Sequence, residues 1–455
     1  MNNTIVAIST AMGSSGIGII RMSGEDCFKI LEKIFIPKNK SKIINGYTMK
    51  YGNIVDNGKI IDEVLVSYFV KPKSYTKENM CEINSHGGSV VEKEILELCI
   101  KNGAEIARPG EFTERAFLNG RIDLAQAEAI MDLIESKNEK EAKESVNQLK
   151  GSLSKEINKI EEELLSTITS IEVTVDYPEY DIEEVENRDA LRELEKTKKE
   201  LLKLKDGFNK GKILKDGIKT VILGKPNAGK SSLLNAILKE DRAIVSNIEG
   251  TTRDTIEEFI NINGITLKMI DTAGIRKTEN EIEKIGVKKA KELAQQADLI
   301  IAIFDITSKL SKEDLEILDI IKDKNSIIVL NKIDLMKNNK EVENTLTKIG
   351  KPVIKLSAKN NEGIDKLYKE IEKLFNLNKI SQDNEVIITN ERHKNQIIKA
   401  INDIQLSIDS INNKMPIDMT SIYIRQTLID LGEITGKNVT DEVIKNIFKN
   451  FCLGK

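Results

Sequence analysis

The sequence predicts a multidomain protein with α/β and all-α parts, in which a doubly wound, mainly parallel sheet is inserted into a helical domain. Residues 217–377 alternate short apolar runs with amphipathic runs, which is the pattern of a parallel sheet covered by helices. Apolar stripes at helical spacing flank this region on both sides, and each stripe needs a packing partner. Residues 1–120 mix strand and helix patterns, which predicts a separate α+β domain at the N-terminus.

The composition is that of an ordinary globular chain. There are 73 acidic and 69 basic residues, so the net charge of -4 favours no class of partner, and any RNA site must be a local patch. No apolar run approaches the ~20 residues of a membrane span, and the first residues lack the layout of a secretory signal. The four cysteines form no C-x-x-C pair. We therefore expect a cytoplasmic protein with no membrane segment and no structural zinc.

The N-terminal region contains two compact segments that stand out from its strand and helix patterns. One reads Cys-Glu-Ile-Asn-Ser-His-Gly-Gly at residues 81–88, and the other reads Ala-Arg-Pro-Gly-Glu-Phe-Thr-Glu-Arg at residues 107–115. Each can be a functional motif. Otherwise the first is a strand-to-helix turn and the second is the start of a helix. The residues alone leave both interpretations open. The predicted strands of this region lie at residues 4–9, 18–23 and 60–70. The predicted helices are the run that contains Ile30, Leu31 and Ile34 and the run at residues 92–101.

Two helical stretches enclose the predicted sheet domain. Eight apolar residues from Leu149 to Val175 are spaced by three or four, which predicts one long helix that ends near Pro178. A second helix follows at residues 191–204, and a similar stripe at residues 397–411 lies beyond the sheet domain. The economical architecture packs these stretches together. The predicted domains are residues 1–120, a helical domain in two parts at 121–216 and 378–455, and the sheet domain at 217–377.

A glycine-bounded loop at residues 224–231, Gly-Lys-Pro-Asn-Ala-Gly-Lys-Ser, follows an apolar run and precedes an amphipathic one. In this strand–loop–helix context the G-x4-G-K-S pattern indicates a phosphate-binding loop. Its closely spaced backbone N–H groups and the helix N-terminus favour a polyphosphate anion. Lys230 adds a positive charge for the β- and γ-phosphates, and the Ser231 hydroxyl can bind Mg²⁺.

Three further motifs follow predicted strands in the order expected of a GTPase. Asp-Thr-Ala-Gly at residues 271–274 can hold Mg²⁺ through water and sense a γ-phosphate. Asn-Lys-Ile-Asp at 331–334 ends in Asp334, whose carboxylate can accept from N1–H and the exocyclic amine of guanine but would be left unpaired by adenine. Ser-Ala-Lys at 357–359 offers backbone N–H groups to guanine O6. The four motifs together predict a P-loop GTPase domain.

The segment at residues 245–254 lies between the phosphate loop and the Asp-Thr-Ala-Gly motif. A threonine here can complete Mg²⁺ coordination while GTP is bound and release it after hydrolysis. Thr252 is the preferred candidate and Thr251 the alternative. Ile275 stands where many GTPases have a glutamine that orients the attacking water. Because isoleucine cannot do this, either hydrolysis is very slow or another acid and another cation supply the stabilisation.

The motifs GKPNAGKS, EGTTRD, DTAGIR, NKID and SAK resemble those of the Era and Der group of translation-factor-like GTPases. The segments GIGIIRMSG, HGG, RPGEFTERAFLNGRIDLAQAEAI and CLGK narrow the resemblance to the tRNA modification GTPase family MnmE, or TrmE, over essentially the whole chain. This resemblance implies an N-terminal folate-binding and dimerisation domain. It also implies a homodimer that acts on tRNA in a heterotetramer with an FAD-dependent MnmG-like protein. The reaction would install aminomethyl or carboxymethylaminomethyl groups at C5 of the wobble uridine.

The same resemblance implies roles for individual residues. GTP hydrolysis would be activated by K⁺-dependent dimerisation of the G domains, and Glu283 would orient water indirectly, although a solvated helix carboxylate is the ordinary interpretation of such a residue. The implied catalytic residues are Glu283, Asn227 and Thr252. The implied K⁺ ligands are Asn227, Ser246, Ile248 and Thr251, and the Mg²⁺ ligands are Ser231 and Thr252. The implied contacts of 5-formyltetrahydrofolate, or a related tetrahydrofolate derivative, are Arg21, Glu82, Arg121 and Lys455.

The predicted GTP-binding set contains the phosphate loop, the switch threonines and the guanine motifs. The full GTP-binding set is Asn227, Ala228, Gly229, Lys230, Ser231, Ser232, Ser246, Thr251, Thr252, Asp271, Thr272, Ala273, Gly274, Asn331, Lys332, Asp334, Ser357, Ala358 and Lys359.

One of the implied folate contacts departs from the family pattern. Where this chain has Arg121 the family often has a lysine, so the contact keeps its positive charge while its geometry stays open.

Two alternative functions and the role of one cysteine remain open at this point. The chain can be an Era- or Der-like GTPase of ribosome assembly, although no second G domain or GXXG RNA-binding loop is apparent. It can also be a folate-sensing scaffold without an enzymatic role. Cys452 can be a nucleophile or only a tail residue whose backbone lines the folate pocket, because a nearby lysine in the sequence is thin support for a reactive thiol.

Overall fold

The computed structural model describes residues 3–11, 13–39, 46–176, 183–239, 243–244, 258–262, 264–270, 287–335, 340–375 and 386–455. The chain divides into two compact units. Unit 1 comprises Met1–Met131, Asn147–Lys198 and Gln396–Lys455, and unit 2 comprises Asp132–Val146 and Lys199–Asn395. The four-part domain division predicted from the sequence stays a prediction. None of the described helices combines the length and the apolar character of a bilayer-spanning segment.

The N-terminal part of unit 1 is a seven-stranded sheet in the order β3-β4-β5-β6-β2-β1-β7, antiparallel except between β1 and β7. Apolar residues on one face of the sheet, such as Ile20 and Ile83, pack with Leu31 and Ile95 of two helices. The elements are β1 (Ile5–Ile8), β2 (Gly18–Ser23), α1 (Cys27–Ile34), β3 (Phe35–Pro37), β4 (Tyr47–Asp56), β5 (Lys59–Phe69), β6 (Met80–Ser85), α2 (Ser89–Lys101), β7 (Glu105–Ile106) and α3 (Glu111–Leu118).

This sheet confirms the predicted strands near residues 4–9, 18–23 and 60–70 and the helix near 92–101. Strand β4 was not predicted, because its apolar residues are interrupted by polar ones, and β6 was predicted only as the strand that precedes the His-Gly-Gly turn. The His-Gly-Gly segment is the turn between β6 and α2, and Gly110 is the N-cap of α3. The turn and helix-start interpretations of the two compact segments are therefore correct as local structure.

Helices dominate the next part of the chain: α4 (Leu124–Glu135), α5 (Glu139–Leu149), α6 (Ser152–Asp176) and α7 (Glu183–Asp216). The prediction of one uninterrupted helix from Leu149 onward is wrong at its start. Leu149 ends α5, and α6 begins only after Gly151, whose φ of 80° is the left-handed conformation that ends helices. Helix α6 is described as far as Asp176, and the predicted stop near Pro178 stays a prediction. Pro178 itself lies outside the described residues.

Unit 2 contains the second sheet, in the order β14-β13-β12-β8-β11-β10-β9. The strands from β14 to β11 are parallel, and β10 and β9 extend the sheet antiparallel. Apolar cores on both faces of the sheet confirm the doubly wound prediction. The elements are β8 (Ile218–Leu223), α8 (Lys230–Lys239), β9 (Ala243–Ile244), β10 (Glu258–Ile262), β11 (Ile265–Met269), α9 (Val287–Gln296), β12 (Leu299–Asp305), α10 (Lys312–Ile321), β13 (Ser326–Asn331), α11 (Lys340–Thr347), β14 (Val353–Lys355) and α12 (Ile364–Leu374).

Three helices complete the chain: α13 (Glu391–Asn412), α14 (Ile417–Thr435) and α15 (Asp441–Phe448). Helix α14 packs along α6, although the two are separated in sequence by the whole sheet of unit 2. Lys437, just after α14, forms an ion pair with Glu161 of α6 and donates to Asn158 Oδ1 at 2.7 Å. Helices from the two sides of the inserted sheet, α6 and α14, are therefore packed together. The packing of the 397–411 stripe, which lies on α13, stays a prediction.

Candidate functional site

The loop between β8 and α8 is shaped by close backbone packing. A Cβ atom on Gly224 would lie 2.5 Å from Ile303 Cγ2, so only glycine fits where the loop leaves the sheet. Gly229 has a φ of 104°, and a Cβ there would lie 2.1 Å from the side-chain nitrogen of Asn331. Asn227 also has positive φ, at 60°, which asparagine tolerates better than most residues. The sequence motif thus forms a tight, preformed turn at the C-terminal end of a central strand.

Lys230 begins α8, and its ammonium folds back onto the loop. It donates to the carbonyl oxygens of Gly224 at 2.8 Å and Lys225 at 3.0 Å. Burial lowers the pKa of this ammonium, because its charged form is poorly hydrated there. Hydrogen bonds from an ammonium to neutral carbonyl oxygens are weaker than those to an anion. A bound phosphate would therefore compete with these two carbonyl groups for Lys230.

Asn331, at the end of β13, joins two loops of the candidate site. Its Nδ2 donates to the carbonyl of Ala228 at 2.9 Å, and its Oδ1 accepts from the N–H of Ala358 at 3.0 Å. The side chain is buried, with 3% exposure, so both bonds are shielded from water. The phosphate loop and the Ser-Ala-Lys loop are therefore held in a fixed relation by one amide.

The remaining guanine-motif residues lie at the same edge of the sheet. Ser357 Oγ donates to Asp334 Oδ1 at 2.7 Å and accepts from the N–H of Asn360 at 3.3 Å, which fixes one carboxylate oxygen. Lys332 has a φ of 69° and donates to Asp305 Oδ2 at 2.6 Å. Burial alone would raise the pKa of Asp305, but hydrogen bonds from Lys332 and Thr307 outweigh it and hold that pKa below its usual range.

The structure therefore brings together the described members of the predicted GTP set at the C-terminal edge of the parallel strands. Asn227, Ser231, Ser232 and Lys359 are exposed there, whereas Ala228 and Ala358 are buried. The other predicted positions lie outside the described residues: Ser246, Ile248, Thr251, Thr252, Asp271, Thr272, Ala273, Gly274, Ile275 and Glu283.

A second candidate site lies on the N-terminal sheet, around Arg21 and Glu82. These two residues are directly paired between β2 and β6. The Arg21 guanidinium donates to Glu82 Oε1 through Nε at 2.9 Å and Nη2 at 2.8 Å. Both side chains are mostly buried, with 14% and 19% exposure, so this ion pair is more strongly held than a surface pair.

The segment at residues 452–455 lies against the same residues. Arg21 Nη1 and Ser9 Oγ both donate to the carbonyl of Gly454, each at 3.1 Å. The N–H of Gly110 donates to the carbonyl of Cys452 at 3.3 Å. Gly454 has a φ of 84°, and a Cβ there would lie 2.4 Å from the carbonyl oxygen of Ile8. The segment is thus docked through its backbone. The Cys452 side chain is exposed.

Arg121 joins this region through an aromatic ring rather than a hydrogen bond. Its guanidinium carbon lies 4.3 Å from the ring centroid of Tyr75, and that of Arg21 lies 5.5 Å from the same ring. The Tyr75 hydroxyl shares a hydrogen bond of 2.9 Å with Thr113. Lys455 is half-buried, and its backbone N–H donates to the carbonyl of Cys452. Arg21, Glu82 and Arg121 and the lysine-bearing segment are therefore neighbours, although far apart in sequence.

Comparison with known proteins supplies the family. A model described as GTP-binding protein TrmE N-terminus matches residues 4–121, and a model described as MnmE helical domain matches residues 124–452. The tRNA modification GTPase MnmE of Acetivibrio thermocellus is 49% identical over 457 residues, which covers 100% of this chain and 99% of that relative. The chain belongs to the tRNA modification GTPase MnmE family. MnmE proteins of Clostridioides difficile and Finegoldia magna are each 47% identical, with 100% of both chains covered.

Membership of the MnmE family makes the chain a GTPase of tRNA modification, as the sequence motifs predict. The full-length match gives no support to the alternative of ribosome assembly. Sequence reasoning missed three participants in the two candidate sites: Tyr75, Asp305 and the carbonyl group of Gly454. An isolated tyrosine or aspartate carries no motif, and a backbone carbonyl carries no residue signal at all.

Proposed function

We propose that this MnmE-family chain installs aminomethyl or carboxymethylaminomethyl groups at C5 of the wobble uridine of certain tRNAs, together with an FAD-dependent MnmG-like protein. The observation that carries the proposal is the docking of the 452–455 segment onto Arg21. With this docking, Arg21, Glu82 and Arg121, which the family resemblance assigns to folate, are neighbours of the segment that bears Lys455. Such a site would supply the one-carbon unit that the modification needs.

The residues around Arg21 suit a reduced folate. The paired Glu82 carboxylate and Arg21 guanidinium can together hydrogen-bond one end of the ligand, such as its pterin-like ring, and the Arg121 guanidinium suits a carboxylate. Tyr75 offers an aromatic ring close to both arginines. A bound tetrahydrofolate derivative would supply the one-carbon unit, while this chain's residues would bind and orient it.

The nucleotide part of the proposal assigns Mg²⁺ and K⁺ to the phosphate loop. Ser231 is exposed at the start of α8, where its hydroxyl can bind Mg²⁺ beside the phosphates. Asn227 is exposed on a positive-φ turn, and its side-chain oxygen is a suitable K⁺ ligand. The remaining proposed ligands, Thr252 for Mg²⁺ and Ser246, Ile248 and Thr251 for K⁺, lie outside the described residues, as does the proposed catalytic Glu283.

A homodimer through the N-terminal domain is part of the same proposal. The β4–β5 face opposite the helices exposes Tyr47, Met49, Tyr51 and Leu65, at 68%, 61%, 45% and 43% exposure. Tyr51 and Leu65 are direct neighbours across the two strands, and Tyr47 pairs with Phe69. A row of apolar side chains of this kind supports self-association.

The Tyr51→Glu variant is expected to sediment as a monomer at concentrations where the unchanged chain is dimeric.

Two experiments test the proposal. Cells that lack this chain should lose the wobble-uridine modification and regain it when the chain is restored. They should not regain it with Arg21→Gln, although this variant should still hydrolyse GTP. Restoration by Arg21→Gln would contradict the folate site, and unchanged tRNA in the deleted cells would contradict the function as a whole.

The K⁺ assignment is tested by GTP turnover in KCl and in NaCl. We expect faster turnover in KCl, and we expect Asn227→Ala to reduce the rate in KCl to that in NaCl. Equal rates of the unchanged chain in both salts would contradict the K⁺ assignment. If Asn227→Ala still hydrolysed GTP much faster in KCl than in NaCl, the cation would bind elsewhere.

A further inference from the structure

Lys225 is the second residue of the phosphate loop and belongs to none of the motif positions discussed above. Its ammonium donates to Asp314 Oδ2 at 2.8 Å and to Ser308 Oγ at 3.1 Å. The lysine side chain is only 16% exposed and the aspartate side chain 1%. Ser308 and Asp314 lie on the connection from β12 to α10 and at the start of α10. A largely buried ion pair therefore ties the phosphate loop to a neighbouring helix.

Asp314 is built into the start of that helix. Ser311 is the N-cap of α10, and its side chain and that of Asp314 form a reciprocal capping box. Asp314 Oδ2 accepts from the Ser311 N–H at 2.8 Å and its hydroxyl at 2.9 Å, in addition to Lys225. Oδ1 is buried and has no hydrogen-bond partner among the described residues. Removal of Lys225 would thus leave a buried carboxylate without this cation, which is costly.

The backbone of Lys225 holds the rest of the loop. Its carbonyl oxygen accepts from Lys230 Nζ at 3.0 Å and from the N–H of Ala228 at 3.3 Å. The turn closed by the second bond contains Asn227, and the lysine in the first is the one expected to meet phosphate. An ion pair at the Lys225 side chain therefore constrains the backbone on which both of these residues depend.

We propose that Lys225 is a positioning residue of the GTP site, which preorganises the phosphate loop by tying it to Asp314 at the start of α10. The inference rests on the phosphate-loop part of the proposed function and deepens it. The ammonium acts through the carboxylate and not on the nucleotide. Because the tether holds the loop equally for substrate and transition state, its loss raises the dissociation constant and KM for GTP with little change in kcat.

The test compares Lys225→Met, Asp314→Asn and the double variant with the unchanged full-length chain. Dissociation constants for GTP and GDP are measured with fluorescent nucleotides, and kcat and KM are measured by steady-state GTP turnover. We expect each single variant to bind both nucleotides about 5- to 20-fold more weakly, with kcat within about threefold. The double variant should bind no more weakly than either single variant, because both changes remove the same tether. Lys225→Arg should restore binding to within about threefold.

Lys322→Met is the matched control, since it removes the same charge from an exposed ion pair with Asp319 of α10. It should leave the dissociation constants unchanged. Additive losses in the double variant would overturn the inference, because they would mean that Lys225 affects binding independently of Asp314. Unchanged binding by Lys225→Met, even with a lowered unfolding temperature, would overturn it as well, because the pair would then serve stability alone. Failure of the unchanged chain to bind GTP would instead overturn the nucleotide site itself, and the inference with it.

Discussion

The side-chain amide of Asn331 donates a hydrogen bond of 2.9 Å to the carbonyl oxygen of Ala228. Through this bond the guanine motif at the end of β13 holds the phosphate loop, and through Oδ1 the same side chain holds the Ser-Ala-Lys loop. The two ends of the proposed nucleotide site are thus one hydrogen-bonded assembly and not separate loops on a sheet.

Asn331→Ala should therefore weaken GTP binding by at least tenfold. It leaves a buried carbonyl and a buried N–H without their partner, and each such group costs about 1–3 kcal/mol. Nucleotide binding is measured by fluorescence titration, with Asn344→Ala on the exposed face of α11 as the control. Equal affinity of the two variants would show that the loops hold their places without the amide.

Asp334→Asn should change which nucleotide is hydrolysed. The carboxylate is expected to accept two donors from guanine, and an amide in its place presents one acceptor and one donor, which suits xanthine. We expect GTP turnover to fall by two orders of magnitude or more and XTP turnover to exceed it. Asp365→Asn, at an exposed carboxylate of α12, should leave the preference for GTP intact. Retained GTP preference in Asp334→Asn would remove this residue from guanine recognition.

Gly454→Ala should detach the 452–455 segment from the N-terminal sheet. The added methyl group would lie 2.4 Å from the carbonyl oxygen of Ile8, and the φ of 84° is itself unfavourable for alanine. Gly58→Ala is the control, because it has a similar φ of 82° with nothing within 4 Å of the added carbon. We expect carboxypeptidase to cleave Gly454→Ala faster than Gly58→Ala, and tetrahydrofolate binding to fall only in the former. Equal cleavage of both would mean that the segment tolerates the methyl group.

Glu141 should make unit 2 less stable as the pH rises. Burial raises its pKa from an ordinary 4.5 to about 7, although the backbone N–H of Lys137 opposes this by donating to it at 2.7 Å. The folded chain therefore binds this proton more tightly than the unfolded chain. The stability that the proton confers is fully present below pH ~4.5 and is lost as the pH rises through about 7.

Glu141→Gln keeps an acceptor for the Lys137 N–H but cannot ionise. Its unfolding temperature should exceed that of the unchanged chain at pH 8, and the difference should shrink toward pH 5. The measurement is thermal unfolding followed by circular dichroism at both pH values. Glu139→Gln, at the exposed start of α5, should show no such dependence. A difference of the same size at pH 5 and pH 8 would contradict the raised pKa.

Sequence reasoning predicted the second sheet well, because its strands are continuous apolar runs with motifs directly after them. It missed β4. The apolar residues Tyr47, Met49 and Tyr51 of this strand are exposed and alternate with polar residues, so the sequence contains no continuous apolar run there. It also carried a stripe through Gly151, because apolar spacing alone does not register a left-handed residue between two helices.

The candidate sites also contain some residues that could be predicted from the sequence and others that could not. Asn331 and Asp334 could be predicted because their motif has a fixed spacing, and the partners Ala228 and Ser357 lie in motifs of their own. The pair of Lys225 and Asp314 could not, since 89 residues separate them and both are common surface residues in most sequences. Only the packing of α10 against the loop shows that this lysine and this carboxylate are buried together.

The bond from Ser9 Oγ to the carbonyl of Gly454 joins residues 445 positions apart. The ribosome makes Ser9 long before Gly454. This contact of the N-terminal sheet can therefore form only after nearly the whole chain has been synthesised. A chain that stops before residue 454 would contain every described strand of the second sheet but would lack the carbonyl group to which Ser9 and Arg21 donate.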